Sequence, residues 1–256
     1  MEWGYAIAGL VVGFVVGLTG VGGGSLMTPI LLWFGITPST AVGTDLLYAA
    51  VTKVGGVLVH HRQRHVDWKL TAWLSAGSVP ASLLTLWFLA LLHLSSHVLD
   101  SVFKLVLGLA LLLTAASILL KPRLIKWINP QGQVQGDIQL KPIPTVLIGV
   151  CLGGLVTLSS IGAGALGTLA LFLLYPALPT KRLVGTEIAH AVPLTLVAGL
   201  GHASMGNLNY LLLINLLMGS LPGIWLGSHL TRRLTDTWLR PALAIMLAVV
   251  GAKLVM

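Results

Sequence analysis

The chain has 256 residues, of which 56% are hydrophobic and only 9% are charged. Soluble domains carry about 25% charged residues, so this composition excludes an ordinary soluble protein and predicts a polytopic membrane protein. The net charge of +8 does not indicate a nucleic-acid partner, because the basic residues lie in short clusters between apolar runs, as expected of cytoplasmic loops. The single cysteine, Cys151, excludes a disulfide framework within the chain.

Apolar runs follow one another along the whole chain, and most reach the roughly 20 residues that a membrane-crossing helix needs. They lie at 4–34, 39–60, 69–92, 98–120, 144–177, 182–202, 209–230 and 237–256. The only substantial polar connection falls at 121–143. We therefore predict an N-terminal membrane repeat at 1–120, a cytoplasmic linker at 121–143 and a C-terminal membrane repeat at 144–256.

The first apolar run is interrupted by a cluster of glycines, each of which costs roughly 1 kcal/mol relative to alanine inside a helix. A break at membrane depth survives only where it is buried in protein or lines a wet cavity. The short helix after the break presents free N–H groups and a positive dipole end, which favour an anion. The candidate substrate-binding residues here are Gly20, Gly22, Gly23, Gly24 and Ser25.

The two halves of the chain match when the sequence is shifted by 142 positions, so we infer an internal duplication. The stretch 42–45 (VGTD) meets 184–187 (VGTE), 77–80 (GSVP) meets 219–222 (GSLP), and the glycine break recurs at 159–164. Two halves with corresponding broken segments point to a transporter site between repeats. The second break adds Ser160, Gly162 and Gly164 to the candidate substrate-binding residues.

The charge pattern differs between the halves in a way that predicts opposite orientations in the membrane. In the first half the basic connection is 60–65, whereas in the second half the basic connections are 181–182 and 232–233, and none of their equivalents in the other half carries a formal charge. Inversion follows if each broken run is a re-entrant hairpin followed by three transmembrane helices. The fold class predicted is an all-α polytopic membrane protein with inverted repeats; eight full spans with parallel repeats remain the alternative.

Two equivalent acids, Asp45 and Glu187, lie about one and a half turns into their spans. An ionisable group at such depth is costly and is a functional hypothesis by default. We predict that both face the interface between the halves, as proton carriers or as partners of buried cations. His190, three residues after Glu187, is placed to pair with it or to relay a proton. The alternative is that these polar groups only bridge helices.

Three further polar residues lie near the acids in the sequence. Lys53 either neutralises an anionic substrate or extends its long side chain to the basic connection at 60–65. Thr44 and Thr186 either donate hydrogen bonds to substrate or bond back to their own helices. The histidines at 60, 61 and 65 have no accompanying carboxylate or cysteine cluster, so we predict neither a metal site nor a cofactor.

The sequence resembles the TauE/SafE family of sulfite and organosulfur anion exporters. The resemblance is carried by GLTGVGGGSLMTPILLWFGITPSTAVGTD, HRQRHVDW, VGTE and NLNYLLLINLLMGSLPG, and it covers nearly the whole chain. It implies a multi-pass transporter in a prokaryotic inner membrane, moving small sulfur-containing anions such as sulfite or sulfoacetate. It also places 20–24, Thr44, Gly162, Gly164 and Thr186 at the central site.

Two departures from the family pattern bear on the substrate. The second break reads SSIGAGA and is poorer in glycine than the first, and an acid follows each Gly-Thr pair where a small polar residue is expected. The acids favour proton coupling or another substrate.

Three classes of function compete at this point: a secondary transporter for sulfur-containing anions, a transporter or channel for a different small anion or organic acid, and an intramembrane hydrolase. A hydrolase needs a nucleophile with its base, and no serine lies in a recognisable nucleophile elbow, so we predict that the protein is not an enzyme. The partners expected are a small anionic substrate and the lipid bilayer. The oligomeric state and the direction of transport are left open.

Overall fold

The computed structural model describes residues 3–19, 24–92, 96–128, 139–230 and 236–256. Over these ranges the chain is all-helical. The helices are α1 (Trp3–Thr19), α2 (Gly24–Trp33), α3 (Pro38–Arg62), α4 (Trp68–Leu91), α5 (Ser96–Ile128), α6 (Pro142–Ser159), α7 (Ala165–Leu174), α8 (Thr180–Ser204), α9 (Tyr210–Leu230) and α10 (Asp236–Val255). Six of them, α3, α4, α5, α6, α8 and α9, are long and apolar enough within the described residues to cross a membrane. The prediction of an all-α polytopic membrane protein is therefore confirmed.

Each broken run turns back on itself as a helical hairpin. Near the start of α1 the ring of Tyr5 lies edge-on to that of Phe34, just after α2, with centroids 5.3 Å apart. In the second half the backbone N–H of Lys141, just before α6, donates to the hydroxyl of Tyr175, just after α7, at 2.9 Å. Both ends of each run thus lie together, which is the predicted hairpin and not a continuous broken span.

Some helix limits differ from those predicted. Helix α6 has 18 residues, longer than the short hairpin arm expected, because it already begins at Pro142, and proline is well placed in the first turn of a helix. Helix α10 extends from Asp236 to Val255, close to the limits of the span predicted at 237–256. Helix α5 continues to Ile128, beyond the predicted end at 120, because Leu124, Ile125 and Ile128 pack on apolar residues of α4 and α7.

The tightest helix pairs are α1 with α9 and α4 with α6, and glycines allow their close approach. A Cβ added to Gly9 would lie 2.3 Å from the carbonyl oxygen of Leu216, and one added to Gly13 would lie 2.4 Å from that of Ser220. The numbers of the contacting residues rise together along the two helices, so α1 and α9 run parallel. Small residues spaced four apart on both helices thus allow their backbones to approach closely.

Helices that correspond under the shift of 142 residues run antiparallel. In α3 and α8, Gly56 faces Ile188 while Leu47 faces Gly199, so one residue number rises as the other falls. In α5 and α10, Gly108 contacts Val255 while Leu112 contacts Gly251. The same shift also converts the α1/α9 pair into the α6/α4 pair. Each half therefore supplies one helix to every major pair, and the two halves interlock.

The ends of the helix bundle differ in charge. At one end, here called the basic end, the loop before α4 meets the start of α8 through an ion pair of 2.9 Å between Asp67 and Arg182. The described basic residues at this end are Arg62, Arg64, Lys69, Lys121, Arg123, Lys141, Lys181 and Arg182. At the opposite end Leu254 lines a cavity with Thr37, Asp100 and Lys104. The first hairpin opens at the opposite end and the second at the basic end.

Candidate functional site

Asp45 and Glu187 are buried inside the bundle on the antiparallel pair α3 and α8, each about two turns after the start of its helix and so on opposite sides of the middle. The region that contains both acids and Lys53 is here called the centre. The residue exposures of the two acids are 0% and 1%. The hydroxyl of Thr28 on α2 donates to Oδ2 of Asp45, whereas Oδ1 has no hydrogen-bond partner among the described residues. Asp45 thus connects the second arm of the first hairpin to α3.

Glu187 faces the second hairpin. A Cβ on Gly167, in the first turn of α7, would lie only 2.1 Å from Oε1, so only glycine leaves room for the carboxylate in this position. Within the described part of the chain, neither oxygen of Glu187 accepts a hydrogen bond, although Oε2 lies 3.5 Å from Nδ1 of His190. Nε2 of His190 lies 2.8 Å from the hydroxyl of Ser78 on α4. The structure brings Glu187 and His190 together as their spacing predicts, and adds a serine.

Lys53 lies among these groups and does not extend to the basic end. Its side chain is buried, and Nζ donates to the carbonyl oxygen of Ala163, in the second break, at 2.7 Å. Its charge interacts with both Glu187 and Asp45. Of the two alternatives for Lys53, the extension toward 60–65 is therefore wrong, and a central cation is observed.

The second break is a compact turn that uses part of its own hydrogen-bonding capacity. Ser160 ends α6 with φ of 56°, and Gly162 has φ of +120°, a conformation that favours glycine. The N–H groups of Gly164 and Gly167 both donate to the carbonyl of Gly162, at 2.8 and 2.9 Å. Some of the backbone N–H donors that were predicted to bind an anion are thus already hydrogen-bonded within the turn. The hydroxyl of Ser160 is buried without a hydrogen-bond partner and lies near Asp45.

The first break lies largely outside the described residues, which include neither Gly20, Gly22 nor Gly23. Gly24 begins α2, and the side chain of Ser25 is also outside the described part. The predicted role of this segment stays a prediction.

The Gly-Thr pairs lie in contacts between the two halves. The hydroxyl of Thr186 accepts from the backbone N–H of Asp67 at 2.9 Å, and that of Thr44 accepts from the N–H of Asn209 at 3.3 Å. A Cβ on Gly185 would lie 2.5 Å from the carbonyl oxygen of His65. Each pair therefore joins the start of one long helix to the loop after its counterpart. Neither hydroxyl bonds back to its own helix in these contacts, and their predicted contact with substrate stays a prediction.

Sequence reasoning missed several residues of the site, namely the polar residues Thr28, Tyr48, Ser78 and Ser220 and the small residue Gly167. Under the shift of 142 residues, Tyr48 corresponds to His190 and Ser220 to Ser78. The Tyr48 hydroxyl lies beside Ser220, as His190 lies beside Ser78. The repeat itself was the signal, because it aligns GSVP with GSLP and places a polar aromatic residue three positions after each acid.

Buried polar atoms without hydrogen-bond partners are concentrated in this region. They are Oδ1 of Asp45, the hydroxyls of Tyr48, Ser160 and Ser220, both carboxylate oxygens of Glu187, and Nδ1 of His190. Each such atom costs about 1–3 kcal/mol, and proteins keep few of them without a reason. Such a concentration between paired halves is typical of a site that handles a polar or charged species.

Ser78, His190 and Glu187 follow one another in the order of a hydrolase triad, but the surroundings differ from a hydrolytic site. Ser78 lies in the interior of α4 and is fully buried. Its backbone N–H belongs to the hydrogen-bonded part of a helix, so it cannot act as an oxyanion donor beside the hydroxyl. The arrangement is a hydrogen-bonded chain across two helices.

A multi-pass helical bundle with a buried, charged centre between two corresponding halves defines a membrane transporter. Residues 5–254 match the family model described as Sulfite exporter TauE/SafE, and the chain belongs to that family. It is 41% identical over 249 residues to the Probable membrane transporter protein YjnA of Bacillus subtilis. The alignment covers 97% of this chain and 98% of the relative.

More distant relatives carry similar names. The Probable membrane transporter protein YdhB of Bacillus subtilis is 27% identical over 247 residues, covering 94% of this chain and 95% of the relative. MJ0441 of Methanocaldococcus jannaschii, also a Probable membrane transporter protein, is 27% identical over 261 residues, covering 96% of this chain and 92% of the relative. No solved structure matches the chain. The family and these relatives are transporters, so this protein is a membrane transporter and not an enzyme.

Proposed function

We propose that the protein is a secondary transporter that moves small sulfur-containing anions, such as sulfite and sulfonates, across a prokaryotic inner (plasma) membrane, coupled to protons. The observation that carries this proposal is the placement of Lys53, buried between two carboxylates and bonded to the second break. The description of the family, which names sulfite, supports the substrate class.

The charge balance of the centre supports proton coupling. When Asp45, Glu187 and Lys53 are all ionised, their charges sum to −1 (two acids and one base), which disfavours an incoming anion. A proton on one carboxylate brings the sum to zero and removes part of this repulsion. The ammonium of Lys53 and the hydroxyls of Tyr48 and Ser220 then remain as donors, which suits the acceptor oxygens of a sulfite or sulfonate.

We infer further that the halves are inverted repeats with their axis in the membrane plane. Corresponding helices run antiparallel in α3/α8 and in α5/α10, whereas parallel repeats would make corresponding helices run the same way. The two hairpins also open at opposite ends of the bundle. The excess of Lys and Arg at the basic end favours a cytoplasmic location for that end. Both termini would then lie on the outer side.

The moving bodies in this proposal are not the sequence halves themselves. Rocking one half against the other would separate α1 from α9 and α4 from α6, whose glycines bring their backbones into close contact. The moving bodies are instead two bundles in which the halves have exchanged α4 and α9, here called the exchanged bundles. One consists of α1, α2, α3 and α9, and the other of α6, α7, α8 and α4. Each contains one hairpin and one acid. Their relative motion would expose the centre to alternate sides.

Purified protein provides the first test. Sulfite, sulfonates, sulfate, thiosulfate and carboxylates are compared for their effect on the melting temperature, because a ligand at 100 times its Kd stabilises by about 2.7 kcal/mol. We expect stabilisation by sulfite or a sulfonate, its loss in Lys53→Met, and uptake of the same anion into proteoliposomes. Stabilisation by carboxylates alone would contradict the substrate class. An unchanged response in Lys53→Met would contradict the role of the lysine.

A further inference from the structure

The two acids of the centre have different neighbours, although they occupy corresponding positions. Glu187 is followed on its helix by His190, and Asp45 by Tyr48. An imidazole has two nitrogens and exchanges a proton near neutral pH, whereas a phenol keeps its proton except in strongly alkaline solution. Asp45 also accepts a hydrogen bond from Thr28, while Glu187 accepts none. Only the second half therefore pairs an unbonded carboxylate with a proton-exchanging partner.

Hydroxyl groups continue from His190 on the second side only. His190 bonds to Ser78, and Ser82 lies one helical turn further along α4. The hydroxyl of Thr157 on α6 donates to that of Ser82 at 2.7 Å. Thr157 also lies 2.7 Å from the carbonyl of Gly153, so its hydrogen has two alternative acceptors. Ser78, Ser82 and Thr157 are all fully buried in the seam between α4 and α6.

The corresponding seam of the first half, between α9 and α1, lacks this continuation. Under the shift of 142 residues, Ser82 corresponds to Ile224 and Thr157 to Val15. The hydroxyl row is thus not a by-product of the repeat. It distinguishes the second half at two positions beyond the serine that both halves share.

The charged groups around Glu187 and His190 are few. From α3 the nearby charge is that of Lys53, which interacts with both Glu187 and Asp45. Two further titratable groups lie close by: His65, in the loop after α3, packs against Gly185, and Nε2 of His202 on α8 lies 2.9 Å from the Thr157 carbonyl oxygen. Helices α6 and α7 contain no charged residue, and the only charged residue of α4 is Lys69, which lies exposed at the basic end. Apart from Lys53 and Asp45, no described charged group of these elements competes with His190 for the carboxylate.

We propose that protons enter and leave the centre through the second half alone: Glu187 and His190 carry them, and Ser78, Ser82 and Thr157 line their route along the α4–α6 seam. Asp45 is a fixed negative charge that balances Lys53. The inference rests on the proposed transport function. It assigns the proton-coupling role to one of the two symmetry-related acids.

The proton transfer balances as follows. A proton from solution enters the row at Thr157, Thr157 passes its hydroxyl proton to Ser82, and Ser82 passes one to Ser78. Ser78 donates a proton to Nε2 of His190, and the proton on Nδ1 passes to Oε2 of Glu187. The hydroxyl of Thr157 turns between Ser82 and the Gly153 carbonyl to reset the row. The result is one neutral Glu187, restored hydroxyl groups and His190 in its Nε2–H tautomer. Release by the reverse sequence restores the Nδ1–H tautomer.

Infrared difference spectroscopy after a pH change, on purified protein without any substrate, tests which acid takes up the proton. We expect the band of a protonated carboxylic acid to appear in the wild type and in Asp45→Asn, to be absent in Glu187→Gln, and to form more slowly in His190→Tyr, which copies the first half. A band lost in Asp45→Asn and kept in Glu187→Gln would overturn the proposal. Because no anion is present, this outcome is independent of the substrate class.

A second measurement addresses the route. In stopped-flow pH jumps followed by the same infrared band, Ser82→Ala combined with Thr157→Val is expected to slow proton uptake at least tenfold. Thr85→Val is the matched control, because Thr85 lies on the same helix and its hydroxyl bonds back to the Ala81 carbonyl. Equal rates in the double variant and in Thr85→Val would overturn the route. If the infrared results hold while sulfite and sulfonates are not transported, the substrate proposal fails and the proton route stands.

Discussion

Gly167 shows how a single residue without a side chain shapes the site. Its Cβ position is occupied by the carboxylate of Glu187, at 2.1 Å. The obstructing atoms are the end of a side chain, which can move, and alanine is favoured over glycine inside a helix by up to about 1 kcal/mol. A methyl group here is therefore expected to displace the carboxylate of Glu187 and to leave the fold intact.

Gly167→Ala is accordingly expected to keep a melting temperature close to that of the wild type and to lose most transport in proteoliposomes, because the carboxylate is displaced from His190. Gly154→Ala is the matched control. It lies in the same hairpin, and the nearest atom to its Cβ position is the Thr85 hydroxyl at 3.8 Å, so both properties should be retained. Full transport by Gly167→Ala would show that the position of Glu187 is not critical.

The residues of the site were predictable from sequence only in part. Depth in an apolar run identified Asp45 and Glu187, and helical spacing identified His190, since both signals are local. Thr28 and Ser78 gave no local signal, because their roles arise from contacts with residues 17 and 112 positions away. The loop contacts of Thr44 and Thr186 could not be predicted either, because they depend on where the opposite loop lies.

At the scale of helices, the glycine rows allow the closest approaches between elements. The hairpins could be predicted, because the arms are short and the breaks are rich in glycine. The exchange of α4 and α9 between the halves could not, because small residues every four positions indicate close packing without identifying the partner. Only the contacts in the folded chain assign α9 to α1 and α6 to α4.

Gly219→Ala is expected to destabilise the protein, in contrast to Gly167→Ala. Its Cβ would lie 1.9 Å from the carbonyl oxygen of Ala6, and a backbone atom cannot move without separating α1 from α9. Such overpacking lowers the free energy of unfolding by about 1–3 kcal/mol. The loss is measured as a lower midpoint of thermal unfolding in detergent. Gly55→Ala serves as the control, because nothing lies within 4 Å of its Cβ position. Equal midpoints for the two variants would contradict the parallel packing of α1 on α9.

At the scale of the whole molecule, the antiparallel relation of corresponding helices connects packing with function. In the proposed inverted arrangement, an axis in the membrane plane would give the two exchanged bundles equivalent surroundings on opposite sides, so one mechanism of opening would serve both faces. Asp45 and Glu187 occupy corresponding positions, whereas Lys53 corresponds to Thr195 and breaks the symmetry. The scaffold is thus two-fold, whereas the chemistry at its centre is not.

The orientation of this scaffold is tested by cysteine labelling in a Cys151→Ala background. Gly4 and Lys253 belong to the ends of the chain that lie away from the basic end, and Gln63 lies exposed at the basic end. A membrane-impermeant maleimide added to intact cells is expected to label Gly4→Cys and Lys253→Cys but to label Gln63→Cys only after the membrane is permeabilised. Labelling of both terminal positions only after permeabilisation would reverse the orientation. Labelling of the two termini from opposite sides would exclude the inverted arrangement, since that arrangement requires an even number of complete crossings between them.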